Sequence, residues 1–402
     1  MQHILYFNSM STLVKNRVLW VDHLRSFITI LVIAHHASLA YTTFAHFEPA
    51  AYISSTAPIV DAQRSKVLDI FEDFNDVFFM SLMFLISGIF VTPSLLKKSQ
   101  RKFLHDRWKR LMIPFIVGVT LLMPIAYIPS YIVAYGKFDP IHFIKDYVTV
   151  EGWPVGPPWF IWVLFAFNLV FACIFPFIRT TWEKLGNRIV ALQGNTLLFL
   201  LVWFVFTWLL YVPMVMQIDA GKWVGIGPLM FQYSRILLYA GYFLLGTIIG
   251  TKPLQEGILG NHATWLNKPI FYVILGIGAY AFLKYSEGPL TRMMKDGTIT
   301  ETAAYWIYRS SWTLSCVASC WMFIVLFKFF SARESLFWQK MSPNAFGMYL
   351  VHYIFNCWLQ FSLMNIALHA IIKWLIVFVG ATVLSYGLMV LARKNKVIEN
   401  IM

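Results

Sequence analysis

The fold is decided by an apolar stretch near the start of the chain that carries ionisable groups within it. The stretch reads Val21-Asp22-His23-Leu24-Arg25-Ser26-Phe27-Ile28-Thr29-Ile30-Leu31-Val32-Ile33-Ala34-His35-His36-Ala37-Ser38-Leu39-Ala40-Tyr41. An α-helix turns about 100° per residue, so the eleven steps from Arg25 to His36 leave these side chains about 20° apart on one face and roughly 16 Å apart along the axis. His35 lies about 80° from that line. Ionisable groups are costly in lipid, so we predict that this face points into a helix bundle or a cavity and is functional.

The composition is that of a multi-pass membrane protein. Of the 402 residues, 59% are hydrophobic and 13% are charged, whereas a soluble domain has about 25% charged residues. Apolar runs of about 20 residues recur along the chain, and this is the length needed to cross a bilayer. We therefore exclude a soluble enzyme and predict an all-α polytopic membrane protein, a bundle of about ten transmembrane helices. The predicted spans are 22–43, 74–96, 111–135, 159–178, 196–216, 229–250, 269–285, 306–330, 345–366 and 370–392.

The distribution of Lys and Arg predicts that the N and C termini are both cytoplasmic. Residues 97–110 contain seven basic residues, and further basic clusters follow spans four and ten, whereas the opposite loops are poorer. Cytoplasmic loops are the ones that carry an excess of Lys and Arg. No cleavable signal peptide is recognisable, so we expect the first span to remain as a membrane anchor. We predict a cytoplasmic segment at 1–21, one transmembrane domain at 22–392 and a cytoplasmic tail at 393–402.

The net charge of +13, from 32 Lys and Arg against 19 Asp and Glu, fits contact with membrane lipids better than binding to nucleic acid. Most basic residues lie in short loops between apolar spans, as the positive-inside rule expects. A nucleic-acid interface needs a basic patch interleaved with stacking aromatic residues on a soluble face. The four cysteines all lie in apolar segments without a CxxC pair, so we predict packing roles for them and no metal site. They are Cys173, Cys316, Cys320 and Cys357.

Two carboxylates accompany His36 on the first two spans. Asp22 precedes Arg25 by three residues, and the two form either an interfacial ion pair or part of a site. Asp76 follows Glu72 at the outer start of span two, where a carboxylate could hold the second ring nitrogen of a histidine. The alternative is an ordinary acidic helix start. The face shared with Arg25 favours a functional role for His36.

Arginines elsewhere in the chain have two interpretations each. Arg107 and Arg110 precede span three, and they either set topology beside anionic lipid or clamp the phosphates of a donor such as a coenzyme A thioester. Charge alone favours the first interpretation. Arg235 and Arg309 lie near the outer ends of spans, where they either snorkel or neutralise an anionic substrate. The sequence contains no HExxH motif, P-loop or nucleophile elbow, which removes the common soluble chemistries.

The polar motifs together resemble those of the acyltransferase 3 family of membrane acyltransferases. Asp22-x-Leu24-Arg25 followed by His36 is similar to the Arg-x10-His signature of that family, and further matches follow in the same order along nearly the whole chain. They are Phe84-Leu85-Ile86-Ser87-Gly88, Arg107-x-x-Arg110 with Leu111-Met112-Ile113-Pro114, Trp159-Phe160-Ile161-Trp162, and Tyr349-Leu350-Val351-His352. Residues 36–41 look closest to the glucan biosynthesis protein C branch of the family, which succinylates periplasmic glucans.

The resemblance implies a function and roles for particular residues. It implies transfer of an acetyl or succinyl group from cytoplasmic acyl-CoA to a hydroxyl of an envelope glycan or another extracytoplasmic acceptor, in the bacterial inner membrane. His36 would be the catalytic histidine and Arg25 its partner, and Arg107 and Arg110 would bind the donor. The candidate catalytic residues are thus His36, Arg25, Asp22 and Asp76, the donor-binding candidates are Arg107 and Arg110, and the substrate-binding candidates are Trp159, Arg235, Arg309 and His352.

Two other classes of function are compatible with the same residues. A transporter or flippase that exports a glycan or an acylated intermediate would line its pathway with polar residues and perform no covalent chemistry. A sensor or structural partner of a glycan synthase would not need His36 at all. The sequence leaves open the acyl group, the acceptor, the oligomeric state, and whether His36 is an acyl carrier or a general base.

Overall fold

The structure, a computed structural model, describes residues 18–261, 263–330 and 335–401, so most of the predicted cytoplasmic segment 1–21 lies outside the described residues. Helices dominate the described chain. In chain order they are α1 (Leu19–Ser38), α2 (Lys66–Ile89), α3 (Val91–Lys97), α4 (Gln100–Arg107), α5 (Ile113–Val117), α6 (Met123–Tyr135), α7 (Pro140–Thr149), α8 (Trp159–Ala191), α9 (Thr196–Val215), α10 (Ile236–Ile249), α11 (Pro269–Lys295), α12 (Glu301–Phe330), α13 (Leu336–Met341), α14 (Ala345–Leu363), α15 (Ala370–Ala392) and α16 (Lys396–Ile401). Two short antiparallel strands, β1 (Trp223–Val224) and β2 (Phe231–Gln232), pair Trp223 with Gln232 and form a hairpin before α10.

Eight helical segments among the described residues are long and apolar enough to cross a membrane. They coincide with eight of the ten predicted spans. The other two predicted spans, 229–250 and 345–366, also contain helices: α10 has 14 residues and α14 has 19. α10 is short for a hydrocarbon core of about 30 Å, and α14 carries buried polar side chains that lower its hydropathy. The all-α polytopic architecture is confirmed, and the count of ten remains a prediction.

The third span contains two wide π-helical turns that its prolines explain. Trp108–Met112 and Gly118–Leu122 are π-helical, and after each the next N–H bonds to a carbonyl five residues back. Pro114 and Pro124 follow these turns within two residues. A proline lacks an N–H and its ring clashes with the carbonyl four residues earlier, so a widened turn relieves the clash. The first turn carries Arg110, and the widening changes the direction in which this segment presents its side chains.

Helices α2 and α10 approach each other so closely that only glycine fits between them. A Cβ atom on Gly88 would lie 2.2 Å from Phe243 O, and one on Gly246 would lie 2.1 Å from Leu85 O. The two helices therefore pack backbone against backbone, as small-residue interfaces in membranes do. Ser87, the neighbour of Gly88, borders a cavity instead. The Ser-Gly pair thus combines one packing residue with one cavity residue.

Helices α1 and α14 are joined by polar contacts along their length. Ser26 Oγ donates to Ser342 Oγ over 2.9 Å just before α14 begins, and Gln360 Nε2 donates to His36 O over 3.0 Å near its end. Residue numbers rise together along both helices, so the two helices run parallel. Interhelical hydrogen bonds of this kind hold helices together where lipid supplies no hydrophobic driving force.

The loops after α1 and before α8 cover the bundle at the end where His36 lies. Asp61 of the first loop forms a buried ion pair with Lys373 of α15, with 2.6 Å between Oδ2 and Nζ. Glu151 joins the two loops, because its Oε2 accepts hydrogen bonds from the backbone and hydroxyl of Ser54. Burial raises the pKa of the Glu151 carboxyl. These contacts give the cap a fixed position over the helices.

Candidate active site

Two adjoining cavities at the Arg25 end of the bundle are bordered by arginines, and together we name them the arginine cavity. Their volumes are about 340 and 380 Å³, within the range of about 300–1,000 Å³ for small-molecule sites. Arg25 and Arg110 border both parts, Arg393 borders the first and Arg107 the second. Four guanidinium groups from three separate regions of the chain therefore surround one space. Arginine side chains gathered in this way can bind phosphate groups.

The two described ends of the chain meet at the arginine cavity. Asp22, one turn before Arg25 on α1, borders it. Glu399 and Asn400 on α16 border it as well. Four arginines are thus set against two carboxylates, so the cavity remains net positive and suits an anionic ligand.

The arginine cavity reaches residues that adjoin the predicted catalytic histidine. Phe160 of α8 borders both of its parts, and Tyr349 of α14 borders the first. The hydroxyl of Tyr349 donates a hydrogen bond to Pro157 O, which fixes this ring against the start of α8. His352 Nδ1 lies 2.6 Å from Tyr349 O. His352 therefore contacts a residue that forms part of the cavity wall.

His36 and His352 form a pair between α1 and α14. His352 Nε2 lies 3.1 Å from His36 Nδ1. The Nδ1 atom of His36 also lies 2.9 Å from Val32 O. The Tyr353 ring packs edge-on against His36 with 5.2 Å between ring centroids. Helix α1 is continuous across both Arg25 and His36, so the predicted shared face is present. The structure brings together two histidines for which the sequence predicts separate roles.

Two other candidate residues at this end, Arg235 and Asp76, form an ion pair with each other. Arg235 binds Asp76 bidentately, with 2.8 Å from Nη1 to Oδ1 and 2.5 Å from Nη2 to Oδ2. Asp76 therefore does not take the position beside a histidine ring that the sequence allows it, because a guanidinium is its stronger partner. Glu72, one turn earlier on α2, lies near a histidine instead, with 3.8 Å between its Oε1 and His35 Nε2.

Trp159 and Arg309 are two candidate residues that pack against aromatic rings. The Trp159 ring packs among aromatic residues, with its centroid 5.6 Å from that of Tyr239. The Arg309 guanidinium lies over the Tyr308 ring at 5.3 Å. Neither residue borders the two parts of the cavity as the described residues define them. Their roles in substrate binding remain predictions.

Sequence reasoning missed two residues that the structure brings to this site. Arg393 reads as a topological charge after the last span, yet it borders the arginine cavity and donates to Pro343 O. The sequence gives a role only to the histidine of the motif Tyr349-Leu350-Val351-His352, yet Tyr349 forms part of the cavity wall. Periodicity within one helix carried no signal for either residue, because both reach the cavity from elements more than 300 residues from Arg25.

Comparison with known proteins gives a consistent result. The chain matches the acyltransferase 3 family model, described as an acyltransferase domain, over residues 18–391. It is 24% identical over 368 residues to glucans biosynthesis protein C of Salmonella schwarzengrund, which covers 86% of this chain and 83% of the relative. The protein of the same name in Escherichia coli is 23% identical over 378 residues, covering 88% and 89%. No solved structure matches the chain.

The fold, its apolar helices and the arginine cavity define a multi-pass membrane protein with an internal cavity bordered by arginines. The match over nearly the whole chain then specifies the kind of membrane protein. The chain belongs to the acyltransferase 3 family, and the resemblance seen in its sequence motifs is confirmed. Fold and family together support a membrane acyltransferase.

Proposed function

We propose that this chain is an O-acyltransferase of the bacterial inner membrane that uses cytoplasmic acyl-CoA and acylates a hydroxyl of an envelope glycan. The observation that carries the proposal is the arginine cavity, which reaches from four guanidinium groups to Tyr349, beside the His36–His352 pair. The names of the relatives, proteins of glucan biosynthesis, support a glycan acceptor. Acetyl and succinyl groups are the acyl groups we propose.

The chemistry of the donor fits the residues that border the cavity. Coenzyme A carries several phosphates on one end and a slender thioester arm on the other. Arg25, Arg107, Arg110 and Arg393 would bind the phosphates by charge-assisted hydrogen bonds. Met83 and Phe160 offer apolar contacts for the arm farther in. This orientation would direct the thioester toward the histidine pair.

His36 would serve the transfer step in one of two ways. As a general base it removes the proton of the acceptor hydroxyl while the oxygen attacks the thioester carbon; the carbon–sulfur bond breaks, and the proton passes from His36 to the thiolate. As an acyl carrier, its ring nitrogen attacks the thioester first and the acceptor oxygen displaces it afterwards. Both routes consume acyl-CoA and a hydroxyl and yield an ester and free coenzyme A.

The test is acyl transfer by the purified full-length protein in lipid nanodiscs. Radiolabelled acetyl-CoA and succinyl-CoA are supplied in turn with a β-glucan acceptor, and label in the glucan is measured. We expect His36→Ala to lower transfer by a factor of about 10²–10⁴, because a general base contributes this much. His46→Ala, a change at an exposed loop histidine, is the matched control and should retain full transfer.

The possible results separate the enzyme from its alternatives. Transfer that survives in His36→Ala at the normal rate would contradict the proposed role of His36. Saturable binding of acyl-CoA or glucan with no label in the acceptor, in water or on the protein would favour the transporter. An unchanged acyl content of cellular glucan in the His36→Ala strain would favour the sensor or structural partner.

A further inference from the structure

We propose that His352 is a positioning residue that holds the ring proton of His36 on Nδ1 and leaves Nε2 as the reacting nitrogen. The inference deepens the proposed function and rests on it for its kinetic consequence. The assignment of protons rests on the geometry alone. It follows from two backbone carbonyls, which can only accept hydrogen bonds.

The first carbonyl fixes the tautomer of His352. His352 Nδ1 lies 2.6 Å from Tyr349 O, one turn earlier on α14. Because the carbonyl cannot donate, the hydrogen of this contact is on Nδ1 of His352. In the neutral ring, Nε2 is then left with a lone pair and acts as an acceptor.

The second carbonyl fixes the tautomer of His36. His36 Nδ1 lies 2.9 Å from Val32 O and 3.1 Å from His352 Nε2. Both partners are acceptors, so Nδ1 of His36 carries a hydrogen that it shares between them. Its Nε2 therefore has the lone pair, and this is the nitrogen that a base or a nucleophile requires.

His352 does more than duplicate the bond to Val32. The contact with Val32 lies within α1, whereas His352 belongs to α14 and restrains the His36 ring from the neighbouring helix. When Nε2 takes up a proton or an acyl group, positive charge develops on the ring, and a second acceptor at Nδ1–H stabilises it. A charge-assisted hydrogen bond of this kind is strong in an interior of low dielectric constant. The third member of a nucleophile–base–orienting-group triad works by the same logic.

The same contacts connect the ring to the donor site. Tyr349, whose carbonyl anchors His352, also borders the arginine cavity and is fixed to Pro157 by its hydroxyl. His35 differs, because its Nδ1 is buried with no hydrogen-bond partner among the described residues. Of the two adjacent histidines, His36 is thus the one whose hydrogen-bond partners place the ring hydrogen on Nδ1.

The test compares variants of His352 in the nanodisc transfer assay. His352→Phe retains a ring and removes the acceptor, and we expect kcat to fall about 10²–10³-fold while KM for the donor and for the glucan changes less than about threefold. The side-chain carbonyl oxygen of His352→Gln can occupy the position of Nε2 and accept the same hydrogen bond. We therefore expect kcat of His352→Gln to be at least about tenfold higher than that of His352→Phe. Asn356→Leu removes another hydrogen bond from α14 to α1, at Ile33 O, and is the control that should retain kcat.

A measurement independent of activity accompanies the kinetics. In ¹⁵N-histidine-labelled protein, NMR should report His36 and His352 as Nδ1-protonated neutral rings, with the resonances assigned from the single variants. A His36 ring protonated on Nε2 would overturn the inference, even if His352→Phe does not fold. So would a loss confined to KM, which would make His352 a substrate-binding residue, or an unchanged kcat. If the wild-type protein transfers no acyl group but shows the expected tautomers, the proposed function fails and the positioning of His36 by His352 stands.

Discussion

At the scale of single residues, Arg110 and Arg393 show how a side chain acquires a role from its surroundings. Arg110 lies in a π-helical turn of the third span, and Arg393 follows α15 at the other end of the chain. Both are basic residues at the end of a span, where a topological role is the simplest interpretation. In the structure both border one cavity with Arg25 and Arg107. Their convergence supports the donor-binding role that we propose for them.

Substitution of a cavity arginine should weaken donor binding specifically. We expect Arg110→Ala to raise KM for acyl-CoA about tenfold to hundredfold with a smaller effect on kcat, because a hydrogen bond to a charged group contributes about 1.5–3 kcal/mol. The measurement is the dependence of the initial transfer rate on acyl-CoA concentration. Arg101→Ala changes an exposed arginine of the same basic segment that does not border the cavity, and it should retain the normal KM. If the two variants raised KM equally, Arg110 would contribute only general positive charge and no specific contact with the donor.

At the scale of elements, the contact between α2 and α10 depends on the absence of side chains. Gly88 and Gly246 each face the backbone of the other helix at a distance that no Cβ atom tolerates. The contact holds in place α2, which carries Glu72 and Asp76 in its N-terminal half and Met83 and Ser87 beside the cavity. A shift of α2 would therefore disturb both ends of the site.

A methyl group at Gly88 should destabilise the protein. The backbone of Phe243 cannot move aside as a flexible side chain can, so we expect Gly88→Ala to cost about 1–3 kcal/mol, as overpacking does. Thermal unfolding in detergent is the measurement, and Tm should fall. Gly278→Ala is the matched control, because nothing lies within 4 Å of the added Cβ on α11 and alanine has the higher helix propensity by about 1 kcal/mol. A Gly88→Ala protein with an unchanged Tm would contradict this expectation, because it would show that the two backbones can move apart for a methyl group at no cost in stability.

At the scale of the whole molecule, the ends of the bundle differ in chemistry. The arginine cavity lies at one end. At the other end lie His36, the Asp76–Arg235 ion pair, Glu72 beside His35, and the two capping loops. A charged donor and a glycan acceptor on opposite sides of a membrane would need such a division. The Lys and Arg distribution predicts which end faces the cytoplasm.

Cysteine labelling in whole cells tests this orientation. Three of the eight segments that are long and apolar enough to cross a membrane separate Arg101 from Lys222. The predicted topology therefore places the two positions on opposite sides of the membrane. We expect Lys222→Cys to react with an impermeant maleimide in cells whose outer membrane has been permeabilised, and Arg101→Cys to react only after lysis. The background variant is Cys173→Ser, because Cys173 is exposed and the other three cysteines are buried. The reverse labelling pattern would invert the predicted topology.

Much of the fold was predictable because it depends on properties that are local in sequence. Eight of the ten predicted spans are helices of sufficient length and hydropathy, since a run of about 20 apolar residues has few alternatives in a bilayer. The π-helical turns were not predicted, although Pro114 and Pro124 mark where the normal hydrogen-bond pattern must fail. The predicted spans that contain α10 and α14 differ from the other eight for separate reasons. α10 is apolar but has only 14 residues, whereas buried polar residues lower the hydropathy of α14.

The sequence by itself determined the membrane environment, the family and the shared face of Arg25 and His36, because helical periodicity relates residues eleven positions apart along one axis. Only the tertiary structure decided the partners of those residues. It paired Asp76 with Arg235 across 159 positions and His36 with His352 across 316, and it brought Arg393 to the cavity that Arg25 borders. Such pairs depend on which helices become neighbours, and that is set by packing features such as the glycine contact of α2 with α10. No periodic pattern within a single helix carries that information.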